Sequence, residues 1–290
     1  TQANSTNYEA FKMWYCLGAT RVVCARELSI EEIKEIKANI GDKEIEAFVH
    51  GAMCISYSGR CLLSSYFTHR SANLGDCSHP CRWKYYIVEE TRPNEYMPIF
   101  ENERGTYIFN SKDLCMIDHL DDLIDSKVDS FKIEGRMKSA LYVATVVKAY
   151  RQAIDDYYQD KELYKANIKL YKEQIYNCTY REFTTGFYYG AANETTQIYD
   201  ENTYNKGYTY LGTILGVENG MYKIIQHNKF LLGDEIEVMT PTEDHIKAKV
   251  KKIINEKGLE ITDANCGTEV LLVDLGIPLK EFDILKRKED

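Results

Sequence analysis

Five of the nine cysteines in this chain could form one metal site, because they follow the pattern Cys54-x6-Cys61-x15-Cys77-x3-Cys81-x33-Cys115. A set of soft thiolates suits zinc or an iron–sulfur cluster. Structural zinc sites more often contain two C-x2-C pairs, and this chain has none. An iron–sulfur cluster accepts ligands from irregular, widely spaced loops. The spacing alone leaves three interpretations open: an iron–sulfur cluster, a zinc site or unligated thiols.

A cysteine nucleophile is the rival interpretation, and it requires a histidine base nearby. His50 precedes Cys54 by four residues, and His69, His79 and His119 are further candidates. The spacing selects no pair, so these histidines are equally consistent with ordinary structural roles. The four remaining cysteines have no partners in sequence and are expected to be buried structural thiols. They are Cys16, Cys24, Cys178 and Cys266.

Composition limits the class of protein. The net charge of −9 argues against a generally basic nucleic-acid surface, although it allows a local basic groove. No apolar run reaches the roughly 18 residues of a membrane span, and no signal-peptide pattern is visible. We therefore predict a cytoplasmic protein with no membrane partner. The chain opens on Thr1, and we expect that an N-terminal portion is missing.

The hydrophobic pattern predicts the elements that must position these residues. A helix over 29–41 with Ser29 as N-cap and a strand in "EIEAFVHG" belong to a βαβα rhythm, which favours parallel strands. Residues 54–100 lose this periodicity, as functional loops often do. A strand is predicted to end near Glu134, before a long amphipathic helix. Beyond it, short β-like runs predict a small antiparallel barrel or sandwich. The predicted domains are 1–180 and 181–290.

One stretch resembles a known family signature. The stretch "EAFVHGAMCISYSGRCLLS" is similar to the signature of peptidase family U32, and "ARELS", "SYFTHRSANLGDCSHPCRW" and "FKIEGRMKS" resemble other parts of that family. The matching pattern is Glu46-x-Phe48-x2-Gly51-Ala52-Met53-Cys54-x4-Gly59-x-Cys61-x-Leu63-Ser64. The resemblance covers essentially the whole chain. It implies an α/β fold in which a partial (β/α) TIM-like barrel precedes a small antiparallel β-barrel like the second domain of elongation factors.

The resemblance also implies an activity. The chain looks most like the group of iron–sulfur proteins that hydroxylate the tRNA wobble uridine without molecular oxygen and depend on prephenate. The implied cofactor is a [4Fe–4S] cluster, and the implied partners are tRNA and iron–sulfur assembly proteins. By position, Cys54, Cys61 and Cys115 resemble ligands, with Cys77 favoured over Cys81 as the fourth. The family's name implies the alternative, a collagenase-like peptidase.

A barrel of this kind carries its active site at the carboxyl ends of its strands. Arg26 and Glu27 end one predicted strand there. The predicted catalytic residues are Glu46, His50 and Glu134. The residues predicted to bind a dicarboxylate or RNA phosphates are Arg60, Arg70, Lys132 and Arg136. Each of these could instead form an ion pair within its domain. Lysines in the C-terminal region are either phosphate contacts or a solvated strand, namely Lys247, Lys249, Lys251 and Lys252.

Overall fold

A computed structural model describes residues 1–54, 56–83, 86–87, 97–98, 111–190, 205–265 and 267–289. Cys266 lies outside these residues. The chain divides into two compact units. Unit 1 contains residues 1–134, 156–165 and 181–203, and unit 2 contains residues 135–155, 166–180 and 204–290. Among the described residues, no helix has the length and apolar character needed to cross a membrane.

Unit 1 begins with the predicted alternation of helix and strand. Helix α1 spans Tyr8–Cys16, strand β1 Arg21–Val23, helix α2 Ile30–Ile40 and strand β2 Glu44–Gly51. Helix α2 starts where the sequence predicts, since the Ser29 hydroxyl accepts the Glu32 amide N–H and the Glu32 carboxylate accepts the Ser29 N–H. This capping box fixes the direction in which the chain returns to the sheet.

The middle of unit 1 contains shorter elements. They are helix α3 (Leu63–Thr68), 3-10 turns at Ala72–Leu74 and Pro80–Arg82, strands β3 (Tyr86–Ile87), β4 (Met97–Pro98) and β5 (Asp113–Cys115), helix α4 (Leu120–Asp125) and strand β6 (Ser130–Ile133). Strands β1 and β6 both run parallel to β2, with Val23 and Ser130 in register with Glu46. Strand β5 pairs antiparallel with the last residues of β2. The α/β prediction is thereby confirmed in its coarse form, whereas the partial (β/α) TIM-like barrel stays a prediction.

Two long helices follow, and then mostly strands. They are helices α5 (Ala140–Gln159) and α6 (Lys161–Ile175) and strands β7 (Thr179–Tyr180), β8 (Phe183–Thr184) and β9 (Asn205–Lys206). Strand β8 lies parallel to β5 in unit 1, and β7 pairs with β9 in unit 2.

The C-terminal region is antiparallel, as predicted. Its strands are β10 (Tyr208–Glu218), β11 (Met221–Gln226), β12 (Phe230–Leu231), β13 (Glu235–Met239), β14 (Ile246–Lys249), β15 (Lys252–Ile254), β16 (Asp263–Ala264), β17 (Val270–Asp274) and β18 (Ile284–Lys288). Seven of them form a sheet in the order β14-β13-β18-β10-β11-β17-β15. Its two edge strands, β14 and β15, are separated by only two residues of chain, so the sheet curls around its apolar core into a half-barrel.

Candidate functional site

The carboxyl end of β2 brings two predicted site residues together. His50 is in register with Cys115 of β5, and its carbonyl oxygen accepts the Glu134 amide N–H at 2.8 Å. The Met116 N–H donates to the carbonyl of Val49, so β5 and β6 lie on opposite flanks of the same strand end. His50 itself is fully buried, with its ring centroid 5.3 Å from that of Phe183.

Gly51 permits this close approach. It has a φ of +108°, and a Cβ atom built on it would lie 2.2 Å from the Glu134 carbonyl oxygen. Only glycine tolerates both that backbone conformation and that contact. The glycine of "HGAMC" therefore allows the ends of β2 and β6 to meet beside Cys54.

Arg26 connects the groups at this strand end. Its Nη1 lies 3.6 Å from the Cys54 Sγ, and its Nη2 lies 3.8 Å from a carboxylate oxygen of Glu134. The guanidinium also lies over the Phe48 ring, 4.0 Å from the centroid, and its side chain is only 9% exposed. Stacking and ion pairing together fix the plane of an arginine fork. The site therefore contains a guanidinium that lies between a thiol and a carboxylate.

The segment after Cys54 is anchored by polar side chains. A Glu27 carboxylate oxygen accepts the Ser58 amide N–H at 2.8 Å and its hydroxyl at 3.2 Å. Gly59 has a φ of +77°, and an added Cβ would lie 2.1 Å from the carbonyl oxygen of Gln2. The Asn73 amide accepts the Cys61 N–H at 3.0 Å and donates to the Cys61 carbonyl at 2.9 Å. The turn of the "SYSGRC" sequence is thus held at both ends.

The five clustered cysteines are all reduced. Cys54 is exposed, Cys115 is buried, and Cys61, Cys77 and Cys81 are half-buried. Among the described residues, no three His, Cys, Asp or Glu side chains lie close enough together to hold a metal ion. The iron–sulfur cluster and the zinc site therefore both stay predictions.

The other cysteines test the structural prediction directly. Cys24 and Cys178 are buried as predicted, and burial raises the pKa of each thiol to about 12. Both are therefore neutral thiols at physiological pH. The prediction is wrong for Cys16, which is exposed at the end of α1. The buried residue of that helix is Phe11.

Glu46 lies in the first half of β2, four residues or about 13 Å along the strand from His50. Its carboxylate accepts the Ser130 hydroxyl at 2.9 Å and the Lys132 ammonium at 3.2 Å. Burial alone would raise its pKa, but these two bonds and the charges of Lys132 and Arg21 lower it on balance. The structure thus places Glu46 and Lys132 in an ion pair, with the Lys132 ammonium 5.6 Å from the centroid of the Phe48 ring on which Arg26 stacks.

The predicted arginines have different surroundings. Arg70 donates from Nε and Nη2 to one carboxylate oxygen of Asp76, at 2.9 and 2.5 Å, and this ion pair raises the arginine's pKa. The Arg60 side chain is exposed and forms no hydrogen bond or ion pair with any residue that the structure describes. Arg136 is exposed in the turn that follows β6 and belongs to unit 2.

Comparison with known proteins gives the family. The model of peptidase family U32 matches residues 1–198, and the model of the U32 C-terminal domain matches residues 206–286. The chain belongs to peptidase family U32. The resemblance drawn from the "EAFVHGAMC" signature is thereby confirmed.

Relatives of this U32 chain have two kinds of name. It is 38% identical to tRNA hydroxylation protein P1 of Bacillus subtilis, over 99% of this chain and 68% of the relative. It is 36% identical to tRNA hydroxylation protein P of Haemophilus influenzae, over 92% of this chain and 66% of the relative. A protein named collagenase, from Porphyromonas gingivalis, is 34% identical over 87% of this chain and 63% of the relative. The chain spans about two thirds of the length of these relatives.

Arg26, like Glu134, is a site residue that lies outside the U32 signature. The signature begins at Glu46, whereas Arg26 lies one strand earlier and reaches Cys54 across 28 positions of sequence. The feature of the sequence that points to Arg26 is its position beside Glu27 at the end of a predicted strand. Glu27 likewise acts on the signature segment, as an anchor for Ser58.

Proposed function

We propose that this chain is the greater part of a U32 enzyme that hydroxylates the wobble uridine of tRNA. The observation that carries the proposal is its 38% identity, over 99% of its length, to a tRNA hydroxylation protein. The contact of Arg26 with Cys54 and Glu134 at the carboxyl end of β2 supplies a site in the expected place. The proposal also places the protein with its tRNA substrate in the cytoplasm.

Two side chains have direct roles in this proposal. Glu134 takes up and releases the proton during the reaction, since its carboxylate is 28% exposed and can reach solvent or substrate. Arg26 orients that carboxylate and places a fixed positive charge beside the Cys54 sulfur. Buried His50 supports this site through its backbone, because its carbonyl oxygen holds the Glu134 N–H.

The hydroxyl donor in the proposal is a dicarboxylate such as prephenate. Arginine forks bind carboxylates in a bidentate way, and Arg60 is exposed without an ion-pair partner among the described residues. Arg70 is less suited to this role because Asp76 already occupies its guanidinium. Replacing Arg60 should therefore weaken donor binding more than replacing Arg70.

The iron–sulfur cluster is a separate proposal that rests on cysteine spacing and family resemblance. Its ligands would be Cys54, Cys61, Cys115 and either Cys77 or Cys81, delivered with the help of iron–sulfur assembly proteins. Iron and acid-labile sulfide in anaerobically purified full-length protein test it. Cys54→Ser or Cys61→Ser should remove the iron, and Cys16→Ser should not. Stoichiometric zinc without iron would contradict the proposal.

A collagenase-like peptidase is the second candidate, favoured by the name of the Porphyromonas gingivalis relative. A cysteine peptidase needs an imidazole that removes the thiol proton. The Cys54 Sγ lies beside Arg26, whose guanidinium does not act as a base. His50, four residues away in sequence, is fully buried. These contacts favour the hydroxylase.

Complementation of a deletion strain that lacks paralogues tests the function. Full-length protein should restore hydroxyuridine-derived wobble nucleosides, measured by mass spectrometry of tRNA digests. Arg26→Gln should lower their level at least roughly tenfold, as expected when a group that orients a catalytic carboxylate is lost. Arg21→Gln, at an exposed arginine of β1 paired with Glu44, is the matched control and should restore them fully.

Two results would overturn the proposal. One is normal wobble hydroxylation in the strain that lacks the protein and its paralogues. The other is gelatin cleavage by purified full-length protein that disappears in Cys54→Ala, which would establish the peptidase instead.

A further inference from the structure

Three aromatic side chains in and after helix α3 are unusually exposed. Tyr66 and Phe67 of α3 are 79% and 45% exposed, and Trp83 is 45% exposed. Their rings form a chain of contacts, with centroids 5.1 Å apart between Tyr66 and Phe67 and 6.1 Å apart between Phe67 and Trp83. Large aromatic groups usually bury most of their surface on folding. We call this set of three residues the aromatic patch.

The backbone beneath the aromatic patch is held by a network of hydroxyl groups. The Ser78 hydroxyl lies 3.0 Å from that of Ser64 and 2.8 Å from that of Thr68, and the Thr68 hydroxyl donates to the Ser64 carbonyl at 2.8 Å. The Ser78 amide N–H also donates to the Ser64 hydroxyl at 3.1 Å. These bonds connect α3 to the segment that leads to Trp83. The rings are therefore presented on a fixed support.

The segment of sequence that carries the aromatic patch has a net positive charge, in contrast to the whole chain. Residues 56–83 contain Arg60, Arg70 and Arg82, with Asp76 as their only acidic residue, whereas the whole chain has a net charge of −9. Arg60 is exposed, and the Asp76 carboxylate is already engaged by Arg70. Exposed rings interleaved with cations are the combination that binds single-stranded nucleic acid, since rings stack on bases and cations contact phosphates.

We infer that the aromatic patch stacks unpaired bases of the RNA substrate next to the site at the end of β2. This inference rests on the proposed function and adds to it the part of the RNA that is recognised. Helix α3 begins two residues after Cys61, whose backbone is held by Asn73, so the patch follows the segment that starts at Cys54. A modified base in an unpaired loop has flanking bases that are free to stack in this way.

Fluorescence anisotropy with full-length protein and a labelled anticodon stem-loop RNA tests the inference. Tyr66→Ala and Trp83→Ala should each weaken binding roughly tenfold, which is typical for loss of one base–ring stack. Tyr66→Phe keeps the ring and should bind like the wild type. Tyr158→Ala removes an aromatic residue of α5 that is 73% exposed, and it is the matched control that should leave binding unchanged. A fully paired RNA duplex of the same length should bind more weakly than the stem-loop.

Several outcomes would overturn the inference. They are unchanged stem-loop binding by both alanine variants, an equal loss in Tyr66→Phe, and equal affinity for the duplex. Self-association of the wild type that the alanine variants abolish, without a change in RNA binding, would assign the patch to a protein interface instead. The proposed function fails separately, if wobble hydroxylation proves independent of the protein while stem-loop binding still depends on Tyr66 and Trp83.

Discussion

At the scale of single residues, the site depends on a few positions that tolerate no other side chain. The positively charged guanidinium of Arg26 contacts two groups, the Cys54 sulfur and the Glu134 carboxylate. Position 51 requires glycine, because the Glu134 carbonyl leaves no room for a Cβ atom. The first requirement concerns chemistry and the second concerns packing, so they predict different experimental phenotypes.

Gly51→Ala should destabilise the protein by about 3 kcal/mol, since it combines an unfavourable positive φ with a steric clash against Glu134. Chemical denaturation followed by circular dichroism measures this loss. Gly18→Ala is the matched control, because Gly18 has a φ of +96° but no atom within 4 Å of an added Cβ. It should cost about 1 kcal/mol. Equal losses of unfolding free energy in the two variants would show that the clash with Glu134 does not destabilise Gly51→Ala.

Lys286 is a buried charge in unit 2. Its side chain is fully buried, and its Nζ lies 4.1 Å from the Tyr208 ring centroid and 4.0 Å from a Glu237 carboxylate oxygen. Burial lowers the pKa of Lys286, and the charges of Asp244 and Glu237 only partly offset this. The pKa of Lys286 in the folded protein lies below the unfolded value of 10.5. Burial of the charged ammonium therefore lowers the stability of the fold by its full amount below the folded pKa, and this loss of stability vanishes above pH 10.5.

Lys286→Met should therefore increase the free energy of unfolding at pH 7, and this gain should shrink as the pH approaches 10.5. Denaturant titrations at a series of pH values measure the difference from the wild type. Lys288→Met, at an exposed lysine on the same strand, is the control and should show no such pH dependence. A Lys286→Met protein that is less stable than the wild type at pH 7 would contradict the prediction.

At the scale of elements, strand β2 organises unit 1. Its first half is ion-paired to β6 through Glu46 and Lys132, and its last residues hold β5 and β6 on opposite flanks. The segment after β2 has few regular elements. Side chains hold it instead by hydrogen bonds to its backbone, which we call clamps: Glu27 accepts the Ser58 N–H and Asn73 accepts the Cys61 N–H. Clamps of this kind order a loop without the hydrogen-bond ladder of a sheet.

Asn73→Ala should loosen the segment around Cys61, because it removes both hydrogen bonds to the Cys61 backbone. We expect faster reaction of Cys61 with a thiol reagent, measured by mass spectrometry of labelled peptides. Asn73→Asp keeps the acceptor and should have a smaller effect. Asn39→Ala removes an exposed helix-end hydrogen bond to Glu35 and is the control. Unchanged Cys61 labelling in Asn73→Ala would show that the clamp does not limit access.

At the scale of the whole molecule, the proposed binding of RNA must overcome a net charge of −9. In unit 2, Lys247, Lys249 and Lys251 are exposed, whereas Lys252 is paired with Glu260 at 3.1 Å. Glu237 and Glu235 lie in register with Lys247 and Lys249 and reduce the local field. These four lysines together are thus a weaker basic surface than four lysines close together in the sequence would indicate.

Reversal of the three exposed lysines to glutamate should weaken tRNA binding. It should also reduce the slope of log affinity against log salt, by about one unit for each lysine that contacts a phosphate. Filter-binding titrations over a range of salt concentrations measure the slope. Reversal of Lys12, Lys34 and Lys165 in unit 1 changes the net charge equally and is the control, since each is paired with a glutamate three residues away. Equal effects of the two triple variants would assign the loss to net charge alone.

The sequence by itself determined the features that depend on neighbouring residues. The Ser29–Glu32 capping box and the antiparallel C-terminal strands follow from local spacing and alternation. The U32 signature is of the same kind, because its residues lie in one continuous stretch. Short-range geometry is repeated from protein to protein, and this is why these predictions could be made.

Only the tertiary structure decided which of those residues meet. Glu46 lies within the signature, yet strand pairing directs it to Lys132, whereas Arg26 lies outside the signature and reaches Cys54. Cys115 reaches the end of β2 through an antiparallel strand that the βαβα rhythm did not predict. Contacts across tens of residues depend on strand order and register, and residue spacing along the chain does not specify either.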